Sequence, residues 1–120
     1  MGRNFKTIKA WELADNLAVE IYRISQKFSK EELYGLTSQF RRAAISVAAN
    51  IAEGSSRHTK KDFMHFLVIS RASLAEVEYY IHLAGRLNYL GEPDGVKLSK
   101  MLKETAITLN GFIGSIRAAE

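Results

Sequence analysis

Residues 37–54, Thr-Ser-Gln-Phe-Arg-Arg-Ala-Ala-Ile-Ser-Val-Ala-Ala-Asn-Ile-Ala-Glu-Gly, read as one helix with unusually little polar surface. At about 100° per residue, Gln39, Arg42, Ser46, Asn50 and Glu53 fall within an arc of about 80°. Phe40, Ala43, Ala44, Ile45, Val47, Ala48, Ala49, Ile51 and Ala52 cover most of the remaining circumference. A helix with one neighbour needs one apolar stripe; this one offers surface for two neighbours and a second subunit. Both ends are marked, by Thr37 or Ser38 as an N-cap and by Gly54 as a left-handed terminator.

The rest of the chain supplies partners for that surface. A first helix is predicted over 9–28, with Trp11, Ala14, Leu17, Ala18, Ile21, Ile24 and Phe28 on one face. Ser29-Lys-Glu-Glu32 has the spacing of a capping box, which places a short helical turn before Gly35. The central helix is then expected over 38–53. Thr59 caps a third, over 60–90, whose seam Phe63, Leu67, Ser70, Leu74, Val77, Ile81, Ala84, Asn88 alternates by four and three. Gly91 and Pro93 stop it. Asp94 caps a fourth, over 95–118, with Leu98, Leu102, Thr105, Leu109, Phe112 and Ile116 as its seam. No strand pattern interrupts this series. The expected fold is all-α: an antiparallel up-down-up-down four-helix bundle in one domain, 1–120.

Cysteine is absent, so disulfides, thiolate nucleophiles and Cys-ligated metal sites are excluded. The N-terminal Met1-Gly-Arg-Asn-Phe-Lys lacks the apolar core of a signal peptide, and no apolar run approaches the ~20 residues that span a bilayer. A cytoplasmic protein with no membrane contact is expected. The net charge of +4 favours anionic partners only mildly, so its distribution must decide.

With these elements placed, the chain resembles the four-helix-bundle proteins encoded in intervening sequences of bacterial 23S rRNA genes. The resemblance is carried by Phe5-Lys-x-x-Lys-Ala-Trp11, Ile21-Tyr22, Lys30-Glu-Glu-x-Tyr-Gly-Leu-Thr-Ser-Gln39, Arg41-Arg-Ala-Ala-x-Ser46 and Asn50-Ile-Ala-Glu-Gly54. Lys61-x-Phe63, Phe66-Leu67 and Ser73-Leu-x-Glu76 extend it into the third helix. Ala48 departs from it, since that family commonly has proline there. The resemblance implies a ring, a homopentamer, without known catalytic activity. It also implies distant kinship with the basic, ring-forming accessory proteins of diversity-generating retroelements, which are thought to engage nucleic acid and a reverse transcriptase.

Two groups of residues invite a functional reading. The first is the polar stripe. Arg41 and Arg42 lie in the first turn of the central helix and Glu53 in its last, each opposing the helix dipole at ~0.3–1 kcal/mol. Either the stripe is a solvated face, or Gln39, Ser46, Asn50 and Glu53 are partnered at a helix or subunit interface and Arg41 and Arg42 pair there or hold an anion. The second is one end of the bundle. An up-down-up-down order gathers Arg3, Lys6, Lys9, Arg57, Lys60, Lys61 and Arg117 against Glu53, Asp62 and Glu120, an excess equal to that of the whole chain. Lysines at helix ends are ordinarily solubility residues. Repeated around a ring, however, they suit the additive contacts that bind backbone phosphates.

Tyr34, Tyr79, Tyr80 and Tyr89 could stack on bases, but helical spacing makes packing the commoner role. Asp62/His65 and Glu78/His82 are helical neighbours rather than metal pairs, since a di-iron bundle needs Glu-x-x-His units and the chain has none. His58 is read as a loop residue. No nucleophile elbow, phosphate loop or dinucleotide fingerprint is present, so neither an enzyme nor a cofactor or metal is expected. The leading expectation is a ring that binds RNA or DNA, structured RNA foremost, through its basic surfaces. The alternative is an oligomeric adaptor that docks a protein partner, with incidental charge.

Overall fold

The computed structural model describes residues 2–119. Four α-helices follow one another: α1 (Lys9–Ser25), α2 (Leu36–Ser55), α3 (Lys60–Arg86) and α4 (Glu92–Ala118). Single 3-10 turns at Phe5–Thr7 and Lys30–Glu32 precede α1 and α2. Each helix packs on the next and α4 closes on α1, with no close approach between diagonal pairs. Short connections make successive helices antiparallel, giving the expected four-helix bundle, 47 × 24 × 19 Å.

The core follows the heptad seams. On α3, Phe63, Leu67, Ser70, Leu74, Val77, Ile81 and Ala84 are buried, as are Leu98, Leu102, Thr105, Leu109 and Ile116 on α4. Phe112 is only half-buried, and Ile113 beside it takes the inner position. Two hydroxyls in these seams are satisfied: Ser70 donates across to the Val47 carbonyl of α2 (2.7 Å) and Thr105 to the Met101 carbonyl one turn back (2.8 Å).

The helix ends depart from the sequence reading in five places. α1 stops at Ser25 rather than 28, because Lys27 and Phe28 close tighter turns onto Ile24 and Ser25 (both 3.1 Å). This seats the Phe28 ring between Phe40 (6.2 Å) and Tyr89 (5.9 Å). The expected capping box forms only in part. Ser29 accepts from the Glu31 amide (3.3 Å), while the Glu32 carboxylate turns forward and accepts from Leu36 N–H (3.0 Å). Glu32 therefore caps α2, and Thr37 and Ser38 lie inside it; Thr37 is buried, its hydroxyl without a partner among the described residues.

Gly54 is not left-handed; it is a buried helical residue where α2 meets α3. A methyl group there would lie 2.9 Å from both Phe66 Cβ and Phe63 Cδ1. At the far end of α3 the left-handed residue is Asn88 (φ 64°), not Gly91, and the amides of Tyr89 and Leu90 both return to the Ala84 carbonyl. α4 begins at Glu92, with Gly91 as N-cap and Pro93 in the first turn. Asp94 pairs with Lys27 (2.9 Å) instead of capping.

Thr59 does cap α3, accepting from the Asp62 amide (3.1 Å). An electrostatic staple joins α1 to α4. Glu20 accepts from Arg23 and from Lys97 (2.9 Å), and these bonds lower its carboxyl to about 2. The same bond to Glu20 raises the Arg23 guanidinium. Tyr89 donates to the other Glu32 oxygen (3.2 Å), which raises its phenol.

Candidate functional site

The polar stripe of α2 divides into parts with different surroundings. In its middle, Ser46 Oγ meets Ser73 Oγ of α3 at 2.7 Å. Asn50 Nδ2 donates back to the carbonyl and hydroxyl of Ser46 (2.8 and 2.9 Å). These half-buried groups join α2 to α3 within one chain. Gln39 and Arg42 are exposed. Glu53, also exposed, pairs with Arg57 one turn later (3.2 Å).

The two arginines part company. Arg41 reaches across to the end of α1, where Nε donates to Ser25 Oγ (2.8 Å), Nη2 donates to the Tyr22 carbonyl (3.3 Å), and the guanidinium lies over the Tyr22 ring (4.6 Å). Its charge opposes the dipole of α2 but complements the carbonyl end of α1, the compensation its placement requires. Arg42 makes no ion pair or side-chain hydrogen bond among the described residues. Both line an open groove of about 370 Å³ with Tyr22, Leu33, Tyr34, Ser38 and Ile45.

The outward side of α2 exposes only part of its predicted apolar excess, the rest being buried in the bundle, and α3 adds exposed apolar residues of its own. Ala49, Val68, Ile69, Ala72 and Tyr79 are exposed; Ile45 and Ala75, exposed too, line grooves towards α1 and α4 instead. Two neighbouring helices thus leave apolar side chains in water, the raw material of a contact surface.

At the other end, where α2 turns into α3, a hollow of about 140 Å³ brings together Arg3, Arg57 and Lys60 over Ser55 and Phe63. Arg3 is tied by its amide to the Ser55 carbonyl (2.8 Å), and its guanidinium lies over Phe63 and Phe112 (5.9 and 5.7 Å). Arg57 lies over Phe66 (4.6 Å), and Lys60 donates to the Ala119 carbonyl. Stacking fixes each guanidinium plane; Arg3 keeps its edge donors for an anion, while Arg57 shares its edge with Glu53. Lys6, Lys9, Lys61 and Arg117 share this end but do not line the hollow, and Lys9 pairs with Glu12 (2.9 Å). Glu120, counted among the acids of this end, lies outside the described residues. His58 lines the hollow as well; no sequence pattern signals this, because the loop's path decides it.

The sequence pattern of the 23S rRNA-intervening sequence protein family matches residues 6–111. The chain belongs to this family. Its fold is also that of a crystal structure of a protein with unknown function from the S23 ribosomal protein family of Bacteroides thetaiotaomicron VPI-5482. The two superpose with a TM-score of 0.81 at 23% identity, covering 88% of this chain and 95% of the other. No curated protein matches the sequence. Neither description names an enzymatic activity.

In this family member Tyr80 and Tyr89 are packing residues beside Phe40 (6.3 Å) and Phe28, whereas Tyr34 is 93% exposed. His65 lies edge-on to Phe66 and His82 lies beside Tyr79. Among the described residues no three His, Asp or Glu side chains converge on a metal position. No described helix is long and apolar enough to cross a membrane.

Proposed function

We propose that this chain is a non-enzymatic, cytoplasmic protein whose single domain assembles into a ring, a homopentamer, and binds structured RNA through the basic end of each subunit. The observation that carries the reading is the gathering of Arg3, Arg57 and Lys60 around one hollow, with Lys6, Lys61 and Arg117 exposed at the same end. Arg3 and Arg57, held on aromatic rings, need little further ordering to meet phosphates, and a ring repeats the set once per subunit. The family's tie to 23S rRNA genes supports RNA as the polyanion. The apolar outer surface of α2 and α3 supports assembly. It leaves Gln39 and Glu53 at the margin of the subunit contact, and Ser46 and Asn50 bracing it from beneath.

The test is titration of the purified protein into labelled rRNA fragments at several salt concentrations. Affinity should fall linearly on a log–log plot against salt, and alanine at Arg57, Lys60 and Lys61 should weaken binding and flatten that slope. Absence of binding at low salt, or binding indifferent to these substitutions, refutes the basic end. Light scattering at micromolar concentration tests the ring, and a monomer refutes it.

A further inference from the structure

The groove at the opposite end of α2 has a composition that RNA binding leaves unexplained. Two guanidiniums line it with no carboxylate among the lining residues, and they stand beside Tyr34 (93% exposed), Leu33 (46%) and Ile45 (46%). Arg41 is fixed by three contacts with α1, so one cation is already oriented. Arg42, the other, is exposed and makes no ion pair among the described residues. Fifteen residues of chain, nearly all helical, separate Arg42 from Arg57, which places the groove roughly 20 Å from the basic hollow.

We infer that this groove, formed by Tyr22, Leu33, Tyr34, Arg41, Arg42 and Ile45, docks a protein segment that presents a carboxylate next to an apolar side chain. Tyrosine and arginine around a shallow apolar floor are the residue types that dominate protein–protein binding energy. Charge selects the partner: a carboxylate can take the forked donors of Arg42, and a basic segment would be repelled by both guanidiniums. The aliphatic side chains decide between peptide and nucleic acid. Phosphates and base edges offer nothing that rewards burying Leu33 and Ile45, whereas a leucine or phenylalanine on the partner does.

The experiment uses full-length protein and a displayed library of random peptides of about 12 residues, long enough for a few turns of helix or an extended strand. Enriched peptides are synthesised with a fluorophore and titrated by anisotropy. Expected sequences combine Asp or Glu with Leu, Ile or Phe, and both Arg42→Glu and Tyr34→Ala weaken them by about tenfold or more while Arg57→Ala leaves them unchanged. Both altered side chains are exposed, and a circular dichroism melt verifies folding. The inference is overturned if wild type enriches nothing beyond the Arg42→Glu/Tyr34→Ala protein, or if the enriched peptides lack acids. It is equally overturned if labelled oligodeoxythymidine binds wild type and is lost with these two variants, which assigns the groove to single strands. None of these outcomes bears on the Arg57, Lys60 and Lys61 variants, so the RNA reading stands or falls separately.

Discussion

Gly54 sits where α2 presses on the first turns of α3. Replacing glycine by alanine within a helix gains about 1 kcal/mol from propensity. At Gly111 that gain should be realised in full, since nothing lies within 4 Å of an added methyl. At Gly54 the same methyl would lie 2.9 Å from Phe66 Cβ and from Phe63 Cδ1, and carbons settle at roughly 3.5–4 Å. Phe66 Cβ rides on the backbone, so relief requires the first turns of α3 to move by more than half an ångström. Overpacking of this kind costs about 1–3 kcal/mol. Set against the propensity gain, the net loss for Gly54→Ala is about 1 kcal/mol, and the gap from Gly111→Ala is roughly 1–3 kcal/mol. Urea unfolding followed by circular dichroism, at one fixed protein concentration, measures both. A Gly54→Ala protein stabilised as much as Gly111→Ala would refute the close approach. It would also undermine the placement of Thr59, Lys60 and Phe66, which ride on the same turns of α3.

Thr37→Val should raise stability by about 1 kcal/mol, because it removes a buried hydroxyl without a partner. If Thr37 capped the helix instead, the same change would cost about 1 kcal/mol, so the sign of the shift in urea midpoint decides. Glu20, lowered from 4.5 to about 2 by Arg23 and then Lys97, contributes stability that is complete above the ordinary carboxyl value and lost as pH falls towards 2. Glu20→Gln should therefore flatten the acid limb of a stability–pH curve in that window, and curves parallel to wild type would contradict the staple. In a double-mutant cycle, Ser46→Ala and Ser73→Ala should show a coupling of about 0.5–1.5 kcal/mol in the same unfolding assay. Strict additivity would show that the hydroxyl pair contributes nothing.

The four helices were legible because their seams repeat every three and four residues over long spans, a signal that survives local errors. Their ends were less so, for reasons visible in single residues. Glu32 has the right type and spacing to fold back on Ser29, but a longer helix begins at Leu36 and offers its amide within reach. Asn88 and Gly91 both suit the left-handed position, and the return of two amides to Ala84 settles it for Asn88. Gly54 looked like a terminator because glycine serves equally where a chain turns and where two helices touch.

The candidate site was legible as charge and opaque as geometry. Helix order placed the seven cations at one end, yet only Arg3, Arg57 and Lys60 surround the hollow, because aromatic rings draw in the first two. The groove at Arg41 was hidden for a related reason. Its lining comes from α1, the following connection and α2 together, and no period in the sequence links Tyr22 to Tyr34 and Ile45.

Arg41 and Arg42 are the same amino acid in adjacent positions, and the bundle asks different things of them. Position 41 needs a flat cation that can lie on a ring while bonding in two directions, which an ammonium cannot do. The fold asks nothing so particular of position 42, whose side chain is exposed and whose fork serves only the groove. A complete substitution scan read by stability would therefore show two unlike tolerance profiles side by side: lysine rejected at the first on grounds of shape, and lysine or even acidic residues accepted at the second, where the cost appears only in binding.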